Sequence, residues 1–301
     1  MRVLITGATG LIGKEIIKSC HESGIDVNYL TTSKSKLNQS DKTKGFYWNP
    51  KRQEIDENCF IDVDAIIHLA GATVSKRWTP SYKKEILTSR KETTQLLVNT
   101  LKGKTHTIKQ IISASAIGIY PDSLINYYDE TYESPSDSFL GDVVNAWEHE
   151  VDQFSKLNIK VSKIRIGLVL SNKGGALAEM TKPIKFGIGA AFGAGKQWQS
   201  WIHIKDLAQL FLFVLNHKLE GIYNGVAPNP VTNQELTRAI ANTLGKPLFL
   251  PNIPKVFMKL VLGDMHTLLF ESQRVCCKKT EDLGFEFEYH HLQPALEDLL
   301  K

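Results

Sequence analysis

The first thirteen residues, MRVLITGATGLIG, restrict the fold more than any other part of the chain. Val3, Leu4 and Ile5 form a short apolar run that enters a glycine-rich turn from Thr6 to Gly13. The turn opens directly into a segment with Ile12, Ile16, Ile17 and Cys20 at helical spacing. A buried strand, a tight turn and a helix start, in that order, aim backbone N–H groups and the positive end of a helix at one point. That is a site for a phosphate group. The glycines stand at Gly7, Gly10 and Gly13, a G-x-x-G-x-x-G spacing that differs from the G-x-G-x-x-G dinucleotide fingerprint.

Strand and helix patterns then alternate. Asp26 to Leu30 reads as a second strand, with Thr31, Thr32, Ser33 and Lys34 as the loop after it. In a dinucleotide fold an acidic side chain here holds the ribose hydroxyls of NAD, whereas a cation accommodates the extra phosphate of NADP. Hydroxyls followed by Lys34 and Lys36 stand here, with no Asp or Glu, so NADP(H) is expected ahead of NAD(H). Phe46-Tyr47-Trp48 suggests a third strand. Asp64 to Leu69 is a strong one, running into Ala70-Gly71-Ala72, where small residues let a ligand approach the backbone. His68, inside that apolar run, reads as a packed side chain. A helix from Pro80 to Leu101, a strand from Gln110 to Ala116, a helix from Phe139 to Lys156 and a strand from Val161 to Leu170 follow. The alternation predicts an α/β fold, a Rossmann-type doubly wound parallel sheet over residues 1–170, with ligands at the carboxyl ends of its strands.

Beyond Ser171 the composition changes. Gly174-Gly175 and the glycine-rich run 187–195 precede shorter elements: Trp201 to His203, a helix from Lys205 to His217, Gly221 to Gly225, a helix from Asn233 to Leu244 opened by Thr232, and a last helix from Leu292 to Leu300. Residues 171–301 are therefore expected to form a smaller α/β substrate region packed on the first, with the chain crossing between the two. Gln197, Trp198, Trp201 and His203 are expected near the cleft, where aromatic faces with polar tips suit a planar or sugar-like small molecule. Asp206 reads as a helix cap, and Arg274 as a candidate for an anionic ligand.

With 301 residues, 42% of them hydrophobic, the chain can bury a sizeable core. No run approaches the roughly 18–20 apolar residues that span a bilayer, and the N-terminus opens on a strand where a leader would be basic and apolar. The chain reads as cytoplasmic, with no membrane partner. A net charge of +4 spread over 36 basic and 32 acidic residues gives no concentrated basic patch for nucleic acid. Cys20, Cys59, Cys276 and Cys277 have neither metal-ligand spacing nor a C-x-x-C pair and read as reduced structural thiols, so no metal site is expected. An apolar stripe looks the same against a second subunit as against the chain's own core, so no oligomeric state follows.

Four segments together carry a resemblance: TGATGLIG at 6–13, HLAGA at 68–72, SASAIGIY at 113–120 and WIHIKDL at 201–207. The chain resembles an atypical extended short-chain dehydrogenase/reductase of the kind named epimerase family proteins, with a C-terminal region of unassigned function. SRKETTQLL at 89–97, GGALAEM at 174–180, GIYNGVAPNPVTN at 221–233 and GFEFEYHHLQPAL at 284–296 extend the likeness over almost the whole chain. The resemblance implies that Gly7, Gly10, Leu11, Ile12 and Gly13 form the pyrophosphate turn. It also implies that Thr31, Thr32, Leu69, Ala70, Glu85, Arg90 and Val169 contact the cofactor. Relatives in this branch often have an arginine where Thr32 stands.

The larger family moves a proton with a Tyr-x-x-x-Lys pair on the helix after the fifth strand, four residues placing both on one helix face. In this chain the only tyrosine followed four residues later by lysine is Tyr47 with Lys51, on the wrong element and with Pro50 between them. The resemblance puts Leu140 and Val144 at the two catalytic positions. Ser115 matches the hydroxyl that polarises the substrate, with Ser113 beside it. Ser115 and Tyr120 are the catalytic candidates, and Tyr120, Asp129, Glu130 and Asn145 are the candidate substitutes for the missing proton relay. The chain is thus expected to be an NADP(H)-binding oxidoreductase or epimerase-like protein, or else a dinucleotide-binding sensor or scaffold that performs no hydride transfer.

Overall fold

The computed structural model describes residues 1–301. In chain order the strands are β1 (Arg2–Thr6), β2 (Asp26–Thr31), β3 (Thr43–Asn49), β4 (Glu54–Ile55), β5 (Ala65–His68), β6 (Gln110–Ala116), β7 (Tyr127–Tyr128), β8 (Lys160–Ile166), β9 (Leu168–Leu170), β10 (Trp198–Gln199), β11 (Trp201–His203), β12 (Gly221–Gly225), β13 (Val231–Thr232) and β14 (Arg274–Val275). The helices are α1 (Leu11–Glu22), α2 (Pro80–Leu101), α3 (Phe139–Val151), α4 (Gly175–Lys185), α5 (Ile204–Asn216), α6 (Asn233–Thr243), α7 (Lys255–Leu262), α8 (Thr267–Phe270), α9 (Lys278–Asp282) and α10 (Leu292–Leu300). None is long and apolar enough to cross a membrane.

Eight strands form one sheet in the order β12-β8-β6-β5-β1-β2-β3-β4, parallel throughout except for the β3–β4 pair. Its central strands are apolar on both faces: Val3, Leu4, Ile5, Ile66, Ile67, Ile111 and Ile112 are all fully buried. Such runs suit a parallel sheet covered on both sides. Side chains alternate along β6 and show which helix covers which face. Gln110 donates from Nε2 to the carbonyl of Leu219 just beyond α5, whereas Ser115, of opposite parity, reaches Glu148 on α3. Helices α1 and α5 pack together on one face, α2 and α3 on the other. The chain leaves β1 toward β2 and β3, then returns to place β5 on the other side of β1. The carboxyl ends of β1 and β5 therefore flank the point where strand order reverses, and ligands of such sheets bind there.

The doubly wound sheet matches the sequence reading, and three local expectations change. The apolar run from Val161 to Leu170 is two strands. β8 lies in the large sheet, and after Gly167 the chain steps away so that β9 pairs with β11. A side chain at Gly167 would overlap the Ser200 carbonyl and approach Val226 Cγ1 to 2.7 Å, so the step is made where three segments touch. The helix expected from Phe139 to Lys156 is α-helical only to Val151 and tightens into 3-10 turns over Asp152–Leu157. Asp206 does not cap α5. His203 does, accepting from Lys205 N at 3.2 Å, and Asp206 lies in the first turn, accepting from the N–H groups of Glu288 and Tyr289 at 2.9 and 3.1 Å.

Residues after 171 divide between two cores. α5 and β12 join the large sheet layer, where Leu207, Phe211 and Tyr223 belong to the main core. α4, α6 and α10 enclose a second core around Trp201, Leu236, Ile240 and Leu296. Thr232 opens α6 with a capping box, its side chain accepting from Glu235 N while Glu235 Oε2 accepts from Thr232 N at 2.7 Å. All four cysteines are free, and Cys20, Cys59 and Cys277 are buried.

Candidate functional site

Between β1 and α1 the chain makes the turn that its glycines require. Gly7 has a φ of +67°, and a Cβ there would lie 3.0 Å from the Leu69 backbone at the end of β5. At Gly13 a Cβ would overlap the Gly7 carbonyl oxygen and come within 2.7 Å of Ala8 Cα. The first glycine thus brings the turn against the neighbouring strand, and the last brings the helix against the turn. Gly10 N donates to Gly7 O at 3.0 Å, closing the turn, while the N–H groups of Leu11, Ile12 and Gly13 have no backbone acceptor. No acidic residue stands in the first turn of α1. The open N–H groups and the helix dipole together favour an anion at this point.

A cleft of about 490 Å³ lies in front of the turn. Gly7, Thr31, Thr32, Ala70 and Glu85, each expected at the cofactor, share its lining with Trp48 to Lys51, Ser89, Glu92 and Thr93. Thr31 ends β2, paired with Tyr47, so it is the last strand residue and not the loop. Lys34 holds its ammonium 5.2 Å above the Tyr47 ring. Lys51 and Glu85 form an ion pair of 2.9 Å between the β3 end and α2, across the cleft. Leu11 packs on Gly174 and Gly175, which start α4. Val169, in β9, pairs with Ile202 and packs with Ile12 against the cores of both parts. Arg90 is absent from the cleft lining. Its Nη1 donates to Ala72 O at 3.2 Å and Ile86 O at 2.9 Å, and its guanidinium lies over Trp147, so it holds the loop after β5 from behind. Burial lowers its pKa to about 10.

The loop is also held from within by a buried polar chain. Thr94 Oγ1 donates to Arg90 O at 2.7 Å, so His68 Nε2 is the donor to Thr94 at 3.0 Å and His68 Nδ1 the acceptor from Thr6 Oγ1 at 2.8 Å. Thr6 Oγ1 in turn accepts from Leu69 N and Ala70 N at 3.0 and 3.1 Å. Burial, with Arg90 nearby, lowers the His68 pKa to about 3, so the imidazole is a neutral packing element. Thr6→Val removes the hub of this chain while preserving shape. It should cost about 2 kcal/mol of stability in urea unfolding, whereas the same substitution at the exposed Thr79 cap should cost less, about 1 kcal/mol.

At the end of β6 the structure assembles five residues from five elements. Register places Ser115 beside Arg165 on β8 and Arg165 beside Asn224 on β12, while α3 supplies Glu148 and the turn after β6 supplies Tyr120. Ser115 Oγ donates to Glu148 Oε1 at 2.5 Å. Arg165 grips the same carboxylate through Nε and Nη2 at 2.9 and 3.0 Å. Its Nη1 donates to Tyr120 OH at 3.1 Å, and Tyr120 OH donates to Asn224 Oδ1 at 2.8 Å. All five are buried. Burial alone would raise the Glu148 pKa, but Arg165, the Ser115 hydroxyl and Lys163 outweigh it and hold the carboxyl below its ordinary range. Glu148, Arg165 and Asn224 were not singled out from sequence. The available signal was Lys163 and Arg165, two cations spaced by two in an otherwise apolar strand, which demand buried partners on one face.

The expected acids stand differently. Tyr120 is 1% exposed, its hydroxyl is used on the inside by Arg165 and Asn224, and burial pushes its pKa up to about 12. This placement argues against its expected part as a proton donor. Glu130 accepts from Asn224 N at 2.7 Å, Asp129 from Thr131, and Asn145 is exposed on α3. Leu140, where the larger family's tyrosine would stand, packs against the cluster of Trp78, Ile86 and Val143, and Val144 is in the main core. Trp201 and His203 are fully buried and do not line a cleft. Trp201 Nε1 donates to Asn229 O, and burial lowers the His203 pKa to about 4. Trp198 is partly exposed, stacked on Arg274 at 4.5 Å, and Arg274 is stacked on Tyr127 at 4.9 Å.

Comparison with known proteins accords with this geometry. The NAD dependent epimerase/dehydratase family profile matches residues 3–225, and the Domain of unknown function DUF1731 matches residues 253–299. The chain is 39% identical over 302 residues to Epimerase family protein SA0724 of Staphylococcus aureus strain N315, covering 99% of this chain and 98% of that protein. A solved structure of the human epimerase family protein SDR39U1 (isoform 2) with NADPH is similar at a TM-score of 0.85 and 28% identity, covering 99% of each chain. A nucleoside-diphosphate sugar epimerase from Corynebacterium glutamicum is similar at a TM-score of 0.79 and 29% identity, with all of this chain matching 58% of that one. The chain belongs to the NAD-dependent epimerase/dehydratase family and carries a DUF1731 region after the family domain.

Proposed function

We propose that the chain binds a nicotinamide dinucleotide, NADP(H) ahead of NAD(H), and acts on a planar or sugar-like small molecule as an oxidoreductase or epimerase-like protein with a non-standard proton path. The observation that carries the reading is the convergence of the Gly7–Gly13 turn, the acid-free end of β2 and the Ala70–Ala72 loop on one cleft. The places where a Cβ would fill the cradle are glycines, which fits a bound pyrophosphate. Thr31 and Thr32 would meet the adenosine ribose or its phosphate, with Lys34 supplying positive charge from the adjoining turn. The human relative solved with NADPH supports the same choice. Bound in this cleft, a nicotinamide would supply or take a hydride. Ser115 commits its proton to Glu148, so its Oγ has only lone pairs to offer and would orient a substrate by accepting from a hydroxyl.

Titration of intrinsic tryptophan fluorescence should show NADPH binding about tenfold or more tighter than NADH, the difference of one charge-assisted phosphate site. Equal affinity, or tighter NADH binding, would overturn the preference, and absence of binding to both would overturn the reading.

One observation favours a second reading, a cofactor-dependent sensor or scaffold. Every expected replacement for the family's tyrosine is either locked in buried bonds or turned to solvent. That reading predicts tight NADPH binding, no turnover over a broad panel of carbonyl and nucleotide-sugar substrates, and a partner whose affinity changes with NADPH. Turnover to an identified product decides for the enzyme.

A further inference from the structure

Eight of the sixteen exposed large hydrophobic side chains lie in two stretches of the C-terminal part, 186–188 and 249–261. Helix α7 buries none of its eight residues. Val256, Phe257, Leu260 and Val261 are 72, 57, 75 and 52% exposed, and at 100° per residue these four span one continuous arc of the helix. Met258 and Leu262, partly covered, lie on the opposite arc. The helix is therefore turned with its apolar stripe outward, the reverse of an ordinary surface helix. Phe186 and Ile188 after α4, and Phe249 and Leu250 before α7, are also exposed.

These tips share a seam. Gly193 N donates to Ile253 O, and Ile253 N to Ala191 O, both at 2.8 Å. Ile188, Leu250 and Val256 each lie three residues from Ala191 or Ile253, within about 11 Å of it at full extension. The segments that carry the tips are positively charged, and Asp264, just past α7, is paired with Lys83. No Asp or Glu occurs from Met180 to Lys205 or from Leu236 to Gly263, although acidic residues make up 32 of the 301. Lys185, Lys246, Lys255 and Lys259 are exposed among the apolar tips.

We propose that α7 and the flanking tips form a docking face for an anionic lipid bilayer, which the protein touches without crossing. An outward apolar stripe edged by lysines has the composition of a helix that lies in the interface, its apolar side chains in the acyl boundary and its ammonium groups among anionic headgroups. Self-association is disfavoured, because a two-fold contact through the α7 stripe would set Lys255 and Lys259 against the same lysines of the copy. The absence of a spanning helix is no objection, since peripheral contact requires none. The proposal is independent of the cofactor reading.

Co-sedimentation with vesicles tests it, using phosphatidylcholine alone and an equal mixture of phosphatidylcholine and phosphatidylglycerol. The full chain should partition to the mixed vesicles about tenfold or more strongly than to the neutral ones, and less as salt rises. The double variant Phe257→Ser, Leu260→Ser should lose about tenfold of that partition. Lys255→Glu, Lys259→Glu should lose as much. The substituted residues are exposed, so unfolding midpoint and NADPH affinity should stay at wild-type values and show that the variants are folded. Equal partition of the chain to both vesicle types overturns the proposal, as does serine-variant binding equal to wild type. A concentration-dependent dimer in gel filtration that the serine variant abolishes, without vesicle binding, would make the face a contact between copies and also overturn it.

Discussion

Gly13→Ala is expected to abolish useful binding of NADPH, weakening it by about a hundredfold or more. The added methyl would overlap the Gly7 carbonyl oxygen and sit 2.7 Å from Ala8 Cα. Both obstacles are backbone, so no rotamer change relieves them. Either α1 withdraws or the Gly7–Ala8 peptide turns, and each moves the open N–H groups of Leu11 to Gly13 away from the point on which they converge. Overpacking of this kind also costs about 1–3 kcal/mol of stability. Fluorescence titration and urea unfolding of the same samples separate the two effects. Gly24→Ala is the control: its φ is positive, +69°, but an added Cβ there meets nothing within 4 Å. It should lose about 1 kcal/mol of stability with NADPH affinity unchanged. Near-wild-type NADPH binding by Gly13→Ala would place the phosphates elsewhere.

The second large effect is expected at Arg165. Arg165→Met leaves Glu148 buried with Ser115 as its close partner, because Lys163 is 3.9 Å away and bound to Asp152 at 2.8 Å. Removing one member of such a pair costs about 3–5 kcal/mol at neutral pH. The pH dependence distinguishes this from a simple packing loss. In the wild type, Glu148 titrates below its unfolded value. Its contribution is complete above the unfolded carboxyl pKa, about 4.3, and falls away as pH drops through the lower folded value. Without Arg165, burial dominates and the folded carboxyl titrates above the unfolded one. The variant should then be least impaired near pH 4 and lose stability as pH rises. Urea midpoints at pH 4, 5.5 and 7 check this, and an Arg165→Met penalty independent of pH would remove Glu148 as its cause. Glu148→Gln, which keeps an acceptor for Ser115 and Arg165, should cost less than Arg165→Met.

Strands and helices whose evidence is local were legible in the sequence. β6 follows from its β-rich apolar run, α2 from its start at Pro80 and its periodicity, and α6 from the Thr232 that opens it. The glycine turn was legible because each glycine is required by a backbone contact within the same short segment or to the next strand. The break at Gly167 was not, because IRIGLVL reads as one apolar strand and the Ser200 and Val226 contacts that divide it come from distant sequence. Trp201 and His203 misled for a related reason. An aromatic and an imidazole near a glycine-rich loop have the composition of a cleft, and only their burial under α5 and Tyr289 shows them to be core. The Ser115–Glu148–Arg165–Tyr120–Asn224 set depends on register across three strands and on one helix face, information that no single window of sequence contains.

The crossing at Gly167 also limits how the molecule can move. The backbone passes between the two cores there, again from Trp201 to Leu207, and a third time from Gly225 to Ala227, where Gly167 N donates to Gly225 O and Leu168 N to Ser200 O. Three adjacent strands of chain joined by hydrogen bonds act as a weld, where a hinge would need one or two unpaired connections. Rigid-body closure around a ligand would have to break that seam. If NADPH binds in the cleft, amide exchange should slow in the stretch from Gly71 to Thr79, while the Gly167 seam stays protected in both states.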